Sequence, residues 1–382
     1  MFNATHFATL RFISATRKCV MKPFDKLTAR GQQRRLRQLG LAALDRYDLA
    51  QPQLQFVNHG ENTTFRLDTD ERTLLPPSSP FVNGRYLLRI HGASYNSPAE
   101  INSELMWLHA LRQDMNLAVP EPLLNRAGQF AGLVESVGVP EPRTCSVLRW
   151  MRGAMHSDHP QPHHVKKLGR LVATLHEHAR HWQPPDDFTR RRWDWHGMFG
   201  ANAHFGADTA TVWAQIPAQY RDSFEAVAER CRNAMNELGE SPITWGLVHA
   251  DLHLWNVLYA DGEARAIDFD DCGWAFWVYD LAVILSRWCF TDIWPTMRDT
   301  LLHGYAEIRP FPADQLAYLD TFMVARKVSV MMWVVGKAID DPSFRPYVAE
   351  NLEETAQLIE QFLADTKRVF NAEAQRTQSR RG

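Results

Sequence analysis

Leu247-Val248-His249-Ala250-Asp251-Leu252-His253-Leu254-Trp255-Asn256, followed by Ala266-Ile267-Asp268-Phe269-Asp270-Asp271, is the stretch from which the fold can be read. It sets a carboxylate, an amide five residues on and a second carboxylate twelve residues after that between short apolar runs. Runs of this length read as strands that end in loops, so Asp251, Asn256 and Asp268 are expected on two adjacent loops that converge. Asp251 suits orienting a hydroxyl and accepting its proton. Asn256 and Asp268 supply hard oxygen donors of the kind magnesium takes. A lone D-x-x-x-x-N is weak evidence, because acids and amides also cap turns. The joint pattern H-x-D-L-x-x-x-N with an apolar-flanked I-D-F-D is far more specific.

The bulk properties narrow the class. The chain has 382 residues, 45% hydrophobic and 23% charged, with a formal net charge of -2. That composition is globular, and the charge does not support a generally basic surface for nucleic acid. No run of about 18 apolar residues exists, so no membrane-spanning helix is expected. The five cysteines include no C-x-x-C pair, which points to a reduced, cytoplasmic protein without disulfides or a zinc finger. Cys272 reads as a small buried residue rather than a reactive thiol. Residues 1–20 carry Arg11, Arg17 and Lys18 and no acid, and Met21 opens a fresh segment. Translation is expected to start at Met21, with 1–20 a disordered or spurious extension.

Along the chain, Leu27 to Tyr47 reads as an amphipathic helix with Leu36, Leu39, Leu41 and Leu44 near one face. Strands are expected over Gln53 to Asn58, Thr63 to Leu67, Arg85 to His91, Gly132 to Val137 and Cys145 to Trp150. Between them, Ser97-Pro98-Ala99-Glu100 is a helix start with an N-cap, a first-position proline and a capping-box acid. That helix should reach about Gln113 with Ile101, Leu105, Leu108 and Leu111 inward. After Gly153 helices dominate, at 161–182, 208–238, 279–291, 295–308, 312–338 and 343–370, with short strands over 246–270. The expectation is an α+β, two-lobed chain. An N-lobe of antiparallel sheet plus helix covers 21–147, a hinge 148–153 and a mainly helical C-lobe 154–370, with a flexible tail at 371–382.

His249 to Asn256 with Ile267 to Asp271 resembles the aminoglycoside phosphotransferase and choline kinase family, which has a protein-kinase-like fold. The resemblance covers about residues 21–370 and is greatest to its stress response kinase A and type II homoserine kinase branch. It implies a phosphotransferase that uses ATP and Mg2+, with Asp251 as catalytic base and Asn256 and Asp268 as metal ligands. It also implies that Asp280, in Val278-Tyr279-Asp280-Leu281-Ala282, braces the catalytic loop; a first-turn helix acid would look the same.

On the nucleotide side, Gly60-Glu61-Asn62-Thr63-Thr64-Phe65 lies between two strands, where kinases place a phosphate-covering loop. It has one glycine, and a plain hairpin turn would also explain it. The resemblance implies phosphate contacts from Asn62, Thr63 and Thr64. Tyr86-Leu87-Leu88-Arg89-Ile90 looks like the strand that carries the phosphate-binding cation, here Arg89 in place of lysine. Glu104 is its expected ion-pair partner. The hinge, with Leu148 and Trp150, is expected to read adenine through backbone groups.

The acceptor is less legible. Tyr279 follows Asp268 within a dozen residues, and Asp270 stands where protein kinases have the glycine of D-F-G, so no long activation loop fits. A small-molecule alcohol (aminoglycoside, homoserine or choline-like) and a protein Ser/Thr both stay open, as do a nucleotide-binding pseudokinase or interaction protein and a nucleotidyl transferase. Asp270, Asp271 and Asp292 could serve a cationic acceptor, the tryptophans near the motif an aromatic pocket, and Arg287 or Arg326 an anionic one. His163 and His164 read as exposed rings at a helix start, and His176, His178 and His181 as a solvated helix face. His176 also resembles a family position of structural role.

Overall fold

The computed structural model describes residues 21–70 and 74–379, so the extension expected before Met21 lies outside the described residues. Helix α1 (Ala29–Leu44) starts at Thr28, whose hydroxyl accepts from Gly31 N. It buries Leu36, Leu39 and Leu44, while Leu41 turns outward. Strands β1 (Gln53–His59), β2 (Thr63–Asp68) and β3 (Phe81–Ile90) form an antiparallel meander. Helix α2 (Pro98–Met115) has the full capping box at Ser97 and Glu100. Strands β4 (Ala131–Val134) and β5 (Arg143–Met151) complete a five-stranded sheet of order β1-β2-β3-β5-β4. β5 runs straight through most of the expected hinge.

The second half is mainly helical. It comprises α3 (Pro162–His181), α4 (Trp195–Met198), α5 (Thr209–Gln215), α6 (Ala218–Leu238), and two hairpin-like pairs from β6 (Trp245–Val248), β7 (Val257–Ala260), β8 (Glu263–Ala266) and β9 (Gly273–Phe276). Then come α7 (Trp277–Leu285), α8 (Trp294–Ala306), α9 (Ala313–Leu316), α10 (Leu319–Asp340) and α11 (Arg345–Ser379). Two helices expected as single pieces are broken. Pro217 separates α5 from α6, because proline offers no N–H and pushes Ile216 out of the helical region; Ile216 is extended at ψ 123°. The chain also breaks between α9 and α10. The last helix continues to Ser379, past the end of its apolar pattern.

The architecture is the two-lobed one expected, with one refinement. The N-lobe has its own core, built from α1 and the sheet. The inward face of α2 (Ile101, Leu105, Trp107, Leu108, Leu111) belongs instead to the large C-lobe cluster. Trp107 meets Phe269 edge-on at 5.5 Å. The helix that carries Glu104 is therefore seated on the loop that carries Asp268, and both are held by one apolar core.

Helices α3 and α8 cross at close range. A β-carbon on Gly169 would lie 2.0 Å from the Leu301 carbonyl oxygen, and one on Gly304 1.9 Å from that of Lys166. Backbone cannot retreat as a side chain can, so the crossing requires glycine on both helices. It brings His176 of α3 to Tyr305 of α8, with Nδ1 3.0 Å from the phenol oxygen. Contrary to the sequence reading, His176 and His178 are buried, and of the three only His181 is exposed. His164 is buried as well, stacked on His156 at 4.3 Å. Gly169→Ala is expected to lower unfolding stability by about 1–3 kcal/mol through overpacking, measured by urea denaturation. Lys167→Ala, two residues away on a half-exposed position, should change it by less than about 0.5 kcal/mol.

Candidate active site

A cleft of about 770 Å³ lies between the lobes. Its floor is the 249–256 loop, and the bracing group for that loop is Asp280. The Asp280 carboxylate is fully buried and accepts from His249 N at 3.1 Å and Ala250 N at 2.7 Å. His176 Nε2 lies 3.2 Å from the same carboxylate. Burial lowers the pKa of His176, so it is neutral, with Nε2–H donating to Asp280 and Nδ1 accepting from Tyr305. Asp280 is also a first-turn acid of α7, so both readings of it hold. Ala250 sits at φ 65°, a conformation disfavoured for a residue with a side chain. The two N–H bonds to Asp280 hold it there.

His249 ties this loop to the next. Its Nε2 donates to the Ile267 carbonyl at 3.1 Å, and its Nδ1 faces Asp251 N at 3.4 Å. Desolvation depresses its pKa, as a neutral Nε2–H tautomer requires. Asp268, directly after Ile267, is also left-handed, at φ 61°.

Three side chains hold the Asp251 carboxylate. Arg326, on α10, pairs with its Oδ1. Asn256 Nδ2 donates to its Oδ2 at 3.1 Å and to its carbonyl at 3.0 Å, and His253 Nε2 lies 3.4 Å from Oδ2. Desolvation works to raise its pKa, but Arg326, His253 and His249 outweigh it and hold the carboxyl below its usual range. Asp251 is thus ionised and fixed in orientation. Asn256 spends its amide hydrogens on Asp251, and its Oδ1 makes no hydrogen bond among the described residues.

Asp268 is the opposite case. Its carboxylate opens on the cleft and makes no hydrogen bond or ion pair among the described residues. Loss of bulk water raises its pKa, Arg89 opposes, and Asp270, Glu104 and Asp251 raise it further, to about 7. An unpartnered carboxylate crowded by like charges, beside a free amide oxygen, is a donor set that fits a hard divalent cation.

Arg89 and Glu104 form the ion pair expected of them. Arg89 Nη1 lies 2.8 Å and 3.1 Å from the two Glu104 oxygens and 3.4 Å from Asp270 Oδ1. Both partners are buried, and Arg89 lines the cleft while Glu104 stands behind it. Burial opposes the charge on Arg89, but Glu104, Asp270 and Asp268 together raise its pKa.

The remaining site residues fall along the cleft. Asn62, Thr64, Leu148 and Trp150 line it. Thr63 does not: strand alternation turns it to the opposite face from Thr64, and its hydroxyl is engaged with His59 Nδ1 at 2.7 Å. The apolar part of the lining includes Leu87, Pro120, Leu148, Met155, Leu258 and Ile267, and also Trp193, Phe205, Trp255, Val330 and Trp333. Of the groups weighed for the acceptor, Asp292 and Arg287 lie outside the lining, while Arg326 and Trp255 are in it.

Several groups carry no sequence signal. Arg190 donates to the carbonyls of Cys272 (2.5 Å) and Asp270 (2.6 Å), and Arg191 pairs with Asp271 at 3.2 Å. Asn96 donates to Asp270, and Tyr95 OH to Asp271 at 2.5 Å. These residues clamp the turn after Asp268 from segments about 80 to 176 residues distant. Cys272 is buried with its thiol pushed up to about 12, so it is inert.

The comparisons agree with this geometry. The model of the phosphotransferase enzyme family matches residues 53–316. The chain is 29% identical over 210 residues to a homoserine kinase of Methylobacterium radiotolerans, covering 53% of this chain and 59% of that one. It is 26% identical over 251 residues to amicoumacin kinase of Bacillus subtilis, covering 64% and 65%. These alignments span less than two thirds of either relative. Among solved structures, a microcompartment-associated aminopropanol kinase superposes with a TM-score of 0.71 at 27% identity, over 86% of this chain and 98% of that one. With Asp251, Asn256, Asp268 and Arg89 gathered in one cleft, and the family match running from β1 to α9, the chain belongs to the phosphotransferase enzyme family and has its protein-kinase-like fold.

Proposed function

We propose that this chain transfers the γ-phosphoryl group of ATP, with Mg2+, to the hydroxyl of a small-molecule alcohol. The observation that carries the reading is the contrast between two carboxylates on neighbouring loops. Asp251 is ionised and held by Arg326, Asn256 and His253, whereas Asp268 is unpartnered and electrostatically frustrated. One is built to orient a hydroxyl, the other to take a cation.

In this reading adenine lies against Leu87, Leu148 and Ile267. Arg89 and the backbone of the 60–64 loop hold phosphate oxygens. Asn256 Oδ1 and Asp268 hold Mg2+, which when bound neutralises charge on the transferring group. Asp251 accepts a hydrogen bond from the acceptor hydroxyl, directing its lone pair at the phosphorus. With its pKa depressed, Asp251 is a weak base. Its main contribution is orientation, and full proton transfer comes late, as a loose transition state permits. The nearby aromatic wall of Trp193, Trp255 and Trp333 suits a compact organic acceptor. A regulatory nucleotide binder would have no need for Asp251 to be oriented by three partners. A cytoplasmic site of action is supported by the free thiols of Cys145, Cys231, Cys272 and Cys289, and among the described residues no helix is long and apolar enough to cross a membrane.

Asp251→Asn should reduce phosphoryl transfer by about 10²- to 10⁴-fold while Mg–AMP-PNP still raises the melting temperature. Full activity in a panel of alcohol acceptors would refute the role given to Asp251. Because Asp268 holds its proton below about pH 7, a metal must displace that proton at low pH. Mg2+-dependent nucleotide binding should therefore strengthen from pH 6 to pH 8, by up to about tenfold per unit on the acid side. Titration calorimetry would measure this, and Asp268→Asn should remove the dependence along with most of the Mg2+ effect. Arg89→Met leaves Glu104 buried without its cation and should cost about 3–5 kcal/mol of stability by urea denaturation.

A further inference from the structure

The loop between β1 and β2 is tied at three points. Asn62 Nδ2 donates to Asp270 Oδ2 at 2.8 Å, joining the loop to the turn after Asp268. Asn62 Oδ1 accepts from Gly92 N at 3.2 Å, and a β-carbon at Gly92 would fall 2.4 Å from the Glu61 carbonyl oxygen. The third tie crosses the cleft: Glu61 Oε1 lies 2.5 Å from Lys337 Nζ, on α10 of the opposite lobe. Both side chains are about one quarter exposed, so the pair is partly withdrawn from water.

Lys337 is held in place independently of Glu61. Its stem lies against Gly206, where a β-carbon would come 3.0 Å from Lys337 Cδ, and its ammonium sits 5.9 Å from the Trp333 ring centroid. The adjacent Gly336 packs on the Phe205 carbonyl so closely that a β-carbon would sit 1.9 Å away. The cation is presented on a rigid wall, to a loop that spans only the three residues between two strands.

Along α10, Arg326, Ser329, Val330, Trp333 and Lys337 fall at i, i+3, i+4, i+7 and i+11, one stripe of the helix. The stripe begins at Asp251 and ends at Glu61. The same helix face thus holds the catalytic carboxylate at one end and the phosphate loop at the other.

We propose that Glu61 and Lys337 are positioning residues that form a strap across the mouth of the cleft. The strap draws the 60–62 loop down over the phosphates and closes the acceptor end against α10. This rests on the phosphotransferase reading and deepens it. With the strap shut, an acceptor must be engulfed between the loop, Trp333 and Asp251, which selects compact alcohols and excludes a hydroxyl presented on the surface of a folded protein.

The test uses the full chain with Mg–AMP-PNP as the probe. Hydrogen–deuterium exchange is followed in peptides spanning 58–63 for the native protein, Glu61→Gln, Lys337→Met and the charge exchange Glu61→Lys/Lys337→Glu. Each single substitution should speed exchange by about threefold, the size expected of one partly exposed ion pair, with the effect confined to 58–63. The exchanged pair should return to within about half of that change. The KM for Mg-ATP in acceptor-independent ATP hydrolysis should rise and recover in parallel. Unchanged exchange in the single variants, loss of protection spread over the whole chain, or an exchanged pair no better than the singles would each overturn the strap. Exchange is read without turnover, so an absent phosphotransferase activity would count against the reaction proposed for Asp251 and not against the strap.

Discussion

The structure turns on one buried carboxylate. Asp280 has no solvent and must find its partners within the protein. It takes them from the backbone of His249 and Ala250 and from the ring of His176. Those bonds hold Ala250 in a left-handed conformation, and it is this kink that sends Asp251 into the cleft. Removing the carboxylate would leave two buried N–H groups unsatisfied and the strained residue unsupported. His176 is in turn placed by a helix crossing that only glycine permits at Gly169 and Gly304. A packing detail between α3 and α8 is thereby connected, through Tyr305, His176 and Asp280, to the orientation of one reactive side chain.

Around that brace the cleft carries more negative charge than its arginines neutralise. Asp270 and Asp271 are compensated by Arg89 and Arg191, Asp251 by Arg326 and Glu104 by Arg89. Asp268 is left over. The uneven compensation separates the carboxylates: Asp251, Asp270, Asp271 and Glu104 are tied to arginines, and Asp268 is left open to the cleft. The same logic accounts for arginine in place of lysine at position 89. Arg89 meets both Glu104 and Asp270 through Nη1 alone, which leaves the rest of its planar N–H fork, donors that a lysine ammonium does not have.

Much of this was legible in the chain. The 249–271 pattern carried the family resemblance that implied the fold, and the capping box at Ser97 and the order of Arg89 and Glu104 were written in local spacing. Helix breaks such as Pro217 were also written locally, though masked by an apolar period that continues past them. The histidines of α3 were misjudged because a polar side chain on a helix looks solvent-facing until the element that covers it is known; here α8 and Trp107 supply the partners. Thr63 was expected at phosphate together with Thr64, but as neighbours at the start of one strand the two point to opposite faces, and Thr63 turns inward.

What the sequence by itself determined is the chemistry: an oxygen-rich pair of loops, a cation on a strand and an acid on a capped helix, all set by residue type at short range. What only the tertiary structure decided is how each group is charged and held. The clamp of Arg190 and Arg191 on the 270–272 turn, the pairing of Arg326 with Asp251, and the bridge from Lys337 to Glu61 join residues dozens to hundreds of positions apart. No periodicity records such pairs, because their energy depends on distance and burial in three dimensions. Those two quantities set which carboxylate is ionised, which is free, and how wide the cleft stands open.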